Sequence, residues 1–406
     1  CSSRLCRRGG GCYETGMTTL ITDTKTLDVF CRGLAKAEYI TVDTEFMREK
    51  TYYPQLCLIQ LAGPDTAAAI DPLAPGIDLK PVFDLLADPG ILKVFHAARQ
   101  DIEIFYQLTG VVPAPLFDTQ VAAMVCGFGD SVGYETLATK LANARIDKSS
   151  RFTDWSHRPL ATHQLDYALA DVTHLRIIYD KLSAMLEKNG RASWLTEEMA
   201  VLSNPATYDA DPMDSWRRLK PRTNSTKFLA ILREIAAWRE IEARKRDLPR
   251  NRLLRDEALL EIAARVPSNA DELAKIRALS KGFAEGPMGR QLLEAAQRGL
   301  DLPKEQRPEL PEKADLPAGR GPILELLKVL LKLRCEEHQA AQKLVANSAD
   351  LEAIAADDNA DTPALRGWRR EIFGEDALAL KHGRLALTAD GTSVRVVPVH
   401  ELEPAP

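Results

Sequence analysis

Tyr39-Ile-Thr-Val-Asp43-Thr-Glu45-Phe46 is the stretch that decides how the chain is read. An apolar, β-branched run ends in two carboxylates spaced two apart, and the period-2 geometry of a strand sends both to one face. Two carboxylates on one face repel each other unless a cation neutralises them. Taken alone, D-x-E is common, and a solvated strand end is the better reading of it. Outward from it, LCLIQLA (56–62), AAAID (67–71) and ILKVF (91–95) read as further strands bounded by turn residues. RQDIEIFYQLT (99–109) has the apolar spacing of an amphipathic helix, and 118–142 and 162–189 read as helices. Strands first and helices after them predict an α/β unit, a mixed sheet covered by helices.

The 406 residues allow two or three domains. Composition is that of a globular protein, 45% hydrophobic and 27% charged, with only 6% aromatic residues, so the cores must be mainly aliphatic. The 53 Lys and Arg against 58 Asp and Glu give a net charge of −5, which excludes wholesale coating of nucleic acid but not local basic patches. No run approaches the roughly 20 apolar residues of a membrane helix. We therefore expect a cytoplasmic protein with no membrane partner. Three of the seven cysteines, Cys1, Cys6 and Cys12, lie in CSSRLCRRGGGCYETG, ahead of Met17 and a strand-like TTLIT. Residues 1–16 read as a disordered or artefactual extension. No C-x-x-C pair marks zinc, and Cys31, Cys57 and Cys126 read as inert core thiols.

Composition divides the rest. A unit over 17–200 is followed by a polar linker over 201–215 and by helical patterns over 216–299, typical of a small bundle. Residues 300–322 are rich in proline and charge and read as a second linker. Residues 323–347 read as one long amphipathic helix opening a last helical unit over 323–399. Within it Asp390-Gly391, between alternating apolar runs, predicts a hairpin.

Two further carboxylates change the weight of the first pair. Asp101 falls in His96-Ala-Ala-Arg-Gln-Asp101, where a buried strand gives way to a helix, and Asp171 falls in Tyr167-Ala-Leu-Ala-Asp171. A separation of four puts Tyr167 and Asp171 on one helix face. Singly, Asp101 fits a first-turn dipole partner and Tyr167 a half-buried core residue. The ordered set is far harder to obtain by chance.

In this order, strand D-x-E, a helix-start Asp and helical Y-x(3)-D resemble the three motifs of the DEDD 3′–5′ exonucleases of the Tyr subclass. VDTEF, REKTYYPQLCLIQLA (48–62), HAARQDIEIF and DWSHRPLATHQLDYALADV (154–172) resemble the ribonuclease D family over residues 18–200. The resemblance implies a ribonuclease H-like 3′–5′ exonuclease domain followed by two small all-α bundles of the HRDC type (helicase and RNase D C-terminal). The first would span 216–299 and a divergent second 323–399. It also implies two divalent ions, Mg²⁺ or Mn²⁺, held by Asp43, Glu45, Asp101 and Asp171, the all-oxygen donor set that hard cations prefer. Ions roughly 3.5–4 Å apart would activate a water and stabilise the leaving 3′ oxygen. Tyr167, with an ordinary pKa of about 10, is a poor base and is expected to hold the attacking water. His163, one turn before it, reads as a neighbour.

Phe46 and Met47 follow Glu45 where family members pack the terminal base, and a base stacked on an aromatic gains about 1–3 kcal/mol. Phe46 pointing into the core is the competing reading. Gln100, Trp155 and Arg158 are candidates for the strand path. Residues 217–255 hold 13 Lys and Arg against 4 Asp and Glu, the footprint of phosphate binding, with Arg244, Lys245, Arg246 and Arg250 at its centre. A solvated basic helix face is the alternative. Gly129-Asp-Ser131-Val-Gly133 matches a nucleophile elbow but follows a helical pattern, not the strand that motif needs.

The expected function is a 3′–5′ exoribonuclease acting as a monomer on RNA with a single-stranded 3′ end. The family's substrates, tRNA precursors, are the expected RNA. A DNA-directed exonuclease of the same carboxylate class and a non-catalytic RNA-binding scaffold are the rivals.

Overall fold

A computed structural model of the chain describes residues 20–147, 150–151, 153–277, 279–310 and 319–399; the expected extension over 1–16 lies outside them. Six strands form one mixed sheet: β1 (Leu20–Ile21), β2 (Tyr39–Met47), β3 (Gln55–Ala62), β4 (Ala67–Ile70), β5 (Leu92–Phe95) and β6 (Leu116–Asp118), in the order β1-β4-β3-β2-β5-β6. β2 is central, antiparallel to β3 and parallel to β5. Ile40 and Val42, with Ile59 and Leu61 of β3, face an aliphatic core completed by α1 (Thr24–Leu34), α2 (Lys80–Ala87) and α3 (Arg99–Thr109). The opposite face is covered by α6 (Thr162–Lys188), where the Thr41 hydroxyl donates to the Val172 carbonyl at 2.8 Å. Asp43 and Glu45 stand in the same row as Thr41, toward the C-terminal end of the strand.

The stretch 118–142 forms two helices, α4 (Thr119–Val125) and α5 (Tyr134–Ala142). The glycines between them break the pattern, Gly127 and Gly129 both taking left-handed φ values. Cys31, Cys57 and Cys126 are buried free thiols, as expected, and burial raises them to about 12, 11 and 11.

The stretch 201–215 is built structure: it holds the end of α7 (Ala192–Ser203) and most of two short 3₁₀ turns. The second turn sends Trp216, 1% exposed, into the core of the helical bundle. That bundle is led by α8 (Thr226–Arg246) and by the helix Pro287–Asp301, which cross so closely at Gly299 that a Cβ there would stand 2.5 Å from the Ile231 Cα.

The long helix expected over 323–347 ends earlier, at Glu337, and a separate turn follows at Gln342–Val345. The Asp390-Gly391 hairpin is present, pairing Leu385–Asp390 with Ser393–Pro398. The packing of 323–399 differs from that of a free-standing unit. Leu327, Leu330, Ile354, Phe373 and their neighbours share one apolar cluster with residues of α4, α5, α6 and α7. Trp194 stacks on Trp368 with centroids 4.1 Å apart, and Arg369 pairs with Glu197 and Glu198. Composition does not show that the segment over 323–399 shares a core with the helices of the nuclease domain rather than with the bundle that precedes it in the chain.

Candidate active site

Three elements bring the carboxylates together. β2 supplies Asp43 and Glu45. α6 supplies Asp171 and, one turn earlier, Tyr167; its start is fixed by the Gln164 side chain, whose Oε1 accepts the Ala161 N–H at 2.9 Å. Carboxylate oxygens of Asp43, Glu45 and Asp171 all lie within 4.8 Å of one another. Asp101, in the first turn of α3, is 7% exposed and stands beside this triad, held by a hydrogen bond from the Thr44 hydroxyl.

The turn leading into α3 is unusual. Ala97 takes φ 58°, a left-handed conformation that disfavours a Cβ. Asp118 holds it there, its carboxylate accepting the Ala97 and Ala98 N–H groups, each at 2.9 Å, while also capping α4 through Gln120. Thr119 donates its one hydroxyl proton to the Phe95 carbonyl at 3.0 Å, so His96, with Nδ1 3.0 Å away, must donate from that nitrogen. Burial lowers the His96 pKa, keeping the ring neutral with Nε2 unprotonated. The Tyr134 hydroxyl donates to the backbone carbonyls of Ala170 and Asp171. Thr44, His96, Asp118 and Tyr134 escaped the sequence reading; only Asp118, ahead of Thr119 at a helix start, carries a local signal, that of an N-cap.

Burial raises all four carboxyl groups, and repulsion from the neighbouring carboxylates adds to it at Asp43 and Glu45. Burial first, then Asp101, Asp171 and Glu45, pushes Asp43 well above the usual range. Burial, with Asp171 and Asp101, takes Glu45 to about 9, and burial takes Asp101 and Asp171 to about 7. An all-oxygen, partly buried cluster whose members resist ionisation is a fitting cage for hard divalent cations. Burial and the carboxylates also push the Tyr167 hydroxyl far above its ordinary value, so it remains a donor, and it hydrogen-bonds Asp171.

These shifts carry a sign. The folded, metal-free protein retains protons that the unfolded chain loses near pH 4, so stability is lost as pH rises toward 9. Between pH 7 and 9, where His96 is neutral in both states, the metal-free melting temperature is expected to fall. Added Mg²⁺ should raise it, by more at pH 9 than at pH 7; at 100 times Kd the gain is about 2.7 kcal/mol. Thermal melts with EDTA or Mg²⁺ check this, and a metal-free midpoint that climbs over this window would contradict it.

The site opens into a cleft of about 1000 Å³ lined by Phe46, Met47, Gln100, Trp155 and Tyr167, among others. Phe46 lines the cleft and also packs against the sheet core. Trp155 is 2% exposed, with its ring 6.2 Å from that of Tyr167, and so forms a wall behind the tyrosine. His163 is exposed and is not part of the cleft lining.

Arg158 and two residues of the basic cluster, Arg244 and Arg250, have partners within the chain. Arg158 grips Asp71 bidentately, both bonds 2.7 Å, and also donates to the carbonyls of Cys57 and Trp155. It staples the Trp155 loop to the sheet rather than facing a strand path. Arg244 and Arg250 meet the β2–β3 loop, each donating to the Tyr52 hydroxyl, at 3.1 and 2.8 Å, while Arg250 also binds Glu240. Burial of Glu240 opposes its ionisation. Hydrogen bonds from Arg250 and Tyr52 and the nearby arginine charges outweigh that, bringing it down to about 2. Asp247 accepts the backbone N–H groups of Tyr52 and Tyr53 at 3.0 Å. This is an interdomain clasp. Arg246 pairs with Glu242, and Lys245 is exposed.

A mixed sheet with clustered carboxylates on its central strand, and a Tyr-x(3)-Asp helix across it, defines a 3′–5′ exonuclease. The comparisons agree: the family described as 3′–5′ exonuclease matches residues 18–187, and the HRDC domain matches 228–295. The chain belongs to the ribonuclease D family, and its activity is that of a 3′–5′ exoribonuclease. It is 53% identical over 380 residues to ribonuclease D of Granulibacter bethesdensis, covering 93% of this chain and 96% of that protein. It is 52% identical over 379 residues to that of Gluconacetobacter diazotrophicus, with the same coverage. The crystal structure of Escherichia coli RNase D, an exoribonuclease involved in structured RNA processing, superposes with a TM-score of 0.77. That match has 31% identity and covers 90% of this chain and 99% of that one. The catalytic core of RRP6 from Trypanosoma brucei, at 23% identity and a TM-score of 0.53, shares the fold. Family and acidic cluster together point to divalent metal binding. One HRDC domain is matched; residues 323–399 lie outside it. No helix among the described residues is long and apolar enough to cross a membrane.

Proposed function

We propose that this exoribonuclease removes nucleotides singly from RNA 3′ ends, releases 5′-mononucleotides, and takes tRNA precursors with 3′ extensions as substrates, acting as a cytoplasmic monomer. The observation that carries this reading is the convergence of Asp43, Glu45 and Asp171 within 4.8 Å in the cleft that Tyr167 overlooks. Asp43, Glu45 and Asp171, with Asp101 beside them, would hold two divalent ions, Mg²⁺ or Mn²⁺. Such ions, when bound, supply Lewis-acid activation of water and stabilisation of the leaving oxygen.

The chain's own residues do the rest. Tyr167 remains a phenol and orients the attacking water through a hydrogen bond, while Trp155 behind it limits its movement. Phe46 and Met47 offer an apolar seat to the terminal base, which is sequence-tolerant because every base has a π face. Gln100 is exposed on the cleft wall for polar contact with the strand. Lys245 and Arg246, both exposed on the bundle, would meet phosphates of the RNA body, whereas Arg244 and Arg250 are held at Tyr52.

The test is a tRNA carrying a 3′ extension, compared with the same extension as a free oligonucleotide. Trimming in single-nucleotide steps that slow at the acceptor stem, with mononucleotide products, is expected. Release of oligonucleotides, or no trimming of the tRNA-borne extension, would overturn the reading.

A further inference from the structure

Gln60 of β3 is 0% exposed, and neither its Nε2 nor its Oε1 finds a hydrogen-bond partner among the described residues. A primary amide offers two donors and an acceptor. Burying one bare is costly, and a buried polar group left unsatisfied in a native fold calls for an explanation, such as a role in the site it borders. Its position supplies one. In the β2–β3 register Gln60 stands directly opposite Asp43, as Leu58 stands opposite Glu45 and Ala62 opposite Thr41. Directly opposed residues share a face, with Cβ atoms about 4.5–5.5 Å apart. Gln60 therefore lies on the carboxylate face under α6, whereas its neighbours Ile59 and Leu61 enter the aliphatic core on the other side.

The carboxylates are unequally supported. Asp101 takes a hydrogen bond from the Thr44 hydroxyl, and Asp171 takes one from Tyr167. Among the described residues, the hydrogen bond found at Asp43 comes from the Thr44 backbone N–H. The Thr41 hydroxyl, in the same row, is committed to the Val172 carbonyl. Ligating carboxylates are held in orientation by hydrogen bonds from outside the ligand set, and the amide opposite Asp43 is an unused donor.

We propose that Gln60 is a positioning residue for Asp43, donating Nε2–H to its carboxylate when the cluster holds a divalent ion; this rests on the metal-dependent reading above. Without the ion the amide has no work, and an apolar side chain of similar size replaces it at no loss of stability.

The test uses the full chain, stripped with EDTA, as wild type, Gln60→Leu and Gln60→Met. Mn²⁺ affinity is measured by calorimetry, the metal-free melting temperature by scanning calorimetry, and kcat and KM on single-stranded RNA. Both variants are expected to melt, metal-free, at or above the wild-type temperature, to bind Mn²⁺ about tenfold or more weakly, and to lose kcat with KM unchanged. Wild-type Mn²⁺ affinity in a variant that keeps its melting temperature overturns the proposal. So does a fall in melting temperature with affinity intact, or failure of both variants to fold, since each assigns the amide to packing. A wild type that binds no Mn²⁺ would instead remove the metal-dependent reading itself.

Discussion

Asp43→Asn is expected to remove exonuclease activity while raising the melting temperature of the metal-free protein. Asp43 sits between Asp101, Asp171 and Glu45, all of which raise its pKa on top of burial. Replacing a repelled, buried acid with a neutral amide of the same shape relieves that repulsion, so the metal-free variant should be the more stable protein. Activity moves the other way. Metal-assisted stabilisation of the transition state is worth several kcal/mol, and each 1.36 kcal/mol is tenfold, so kcat should fall by roughly 10³- to 10⁴-fold. Mg²⁺ should raise the wild-type melting temperature and leave that of the variant nearly unchanged. Loss of activity together with a large loss of stability would mean that Asp43 supports the fold rather than the chemistry. Retained activity would contradict the role assigned to it.

A chain ending at residue 310 should fail as a protein, not merely as a binder of structured RNA. Leu137, Leu141, Ile178, Leu182, Leu186 and Leu195 of the nuclease helices share a buried cluster with Leu327, Leu330, Leu344, Ile354 and Phe373. Removing the second set exposes the first. Burial of such a side chain is worth about 1.5–3 kcal/mol. Re-exposing the equivalent of two or three is enough to lower melting by about 10 °C in a domain of this size. We expect low soluble yield, exposure of apolar surface to hydrophobic dyes, and a depressed midpoint. A truncated protein that stays soluble, melts with the full chain and digests single-stranded RNA at its rate would show that the two segments fold independently.

These two cases mark how far the sequence alone could be read. The carboxylate pair on β2 and the Tyr167–Asp171 pair on α6 are encoded in local spacing, period 2 and one helical turn, and both stand as that spacing predicts. The motif order carried Asp101 as well. The parts that were not legible depend on distant partners. The basic density over 217–255 is real, but nothing local shows that Arg244 and Arg250 meet Tyr52, 192 and 198 residues away. Arg158 likewise finds Asp71 across 87 residues. An arginine committed to a buried partner and one free to meet phosphate are indistinguishable in composition. The short supporting bonds around the site, Thr44 to Asp101 and Asp118 to the Ala97 turn, also arise from contacts made only after the sheet is assembled. Amphipathic patterning showed that the C-terminal helices have an apolar face, but not which surface covers it.

The most direct test of the central claim takes the purified full chain and a 5′-labelled single-stranded oligonucleotide, as RNA and as the same sequence in DNA. Each is incubated with Mg²⁺, with Mn²⁺ and with EDTA. A one-nucleotide ladder on RNA that EDTA abolishes, and that is much slower on DNA, is the predicted result. A ladder that persists in EDTA, or none with either metal, would contradict a carboxylate-held, metal-dependent exoribonuclease, and a ladder favouring DNA would contradict the assignment of RNA as substrate.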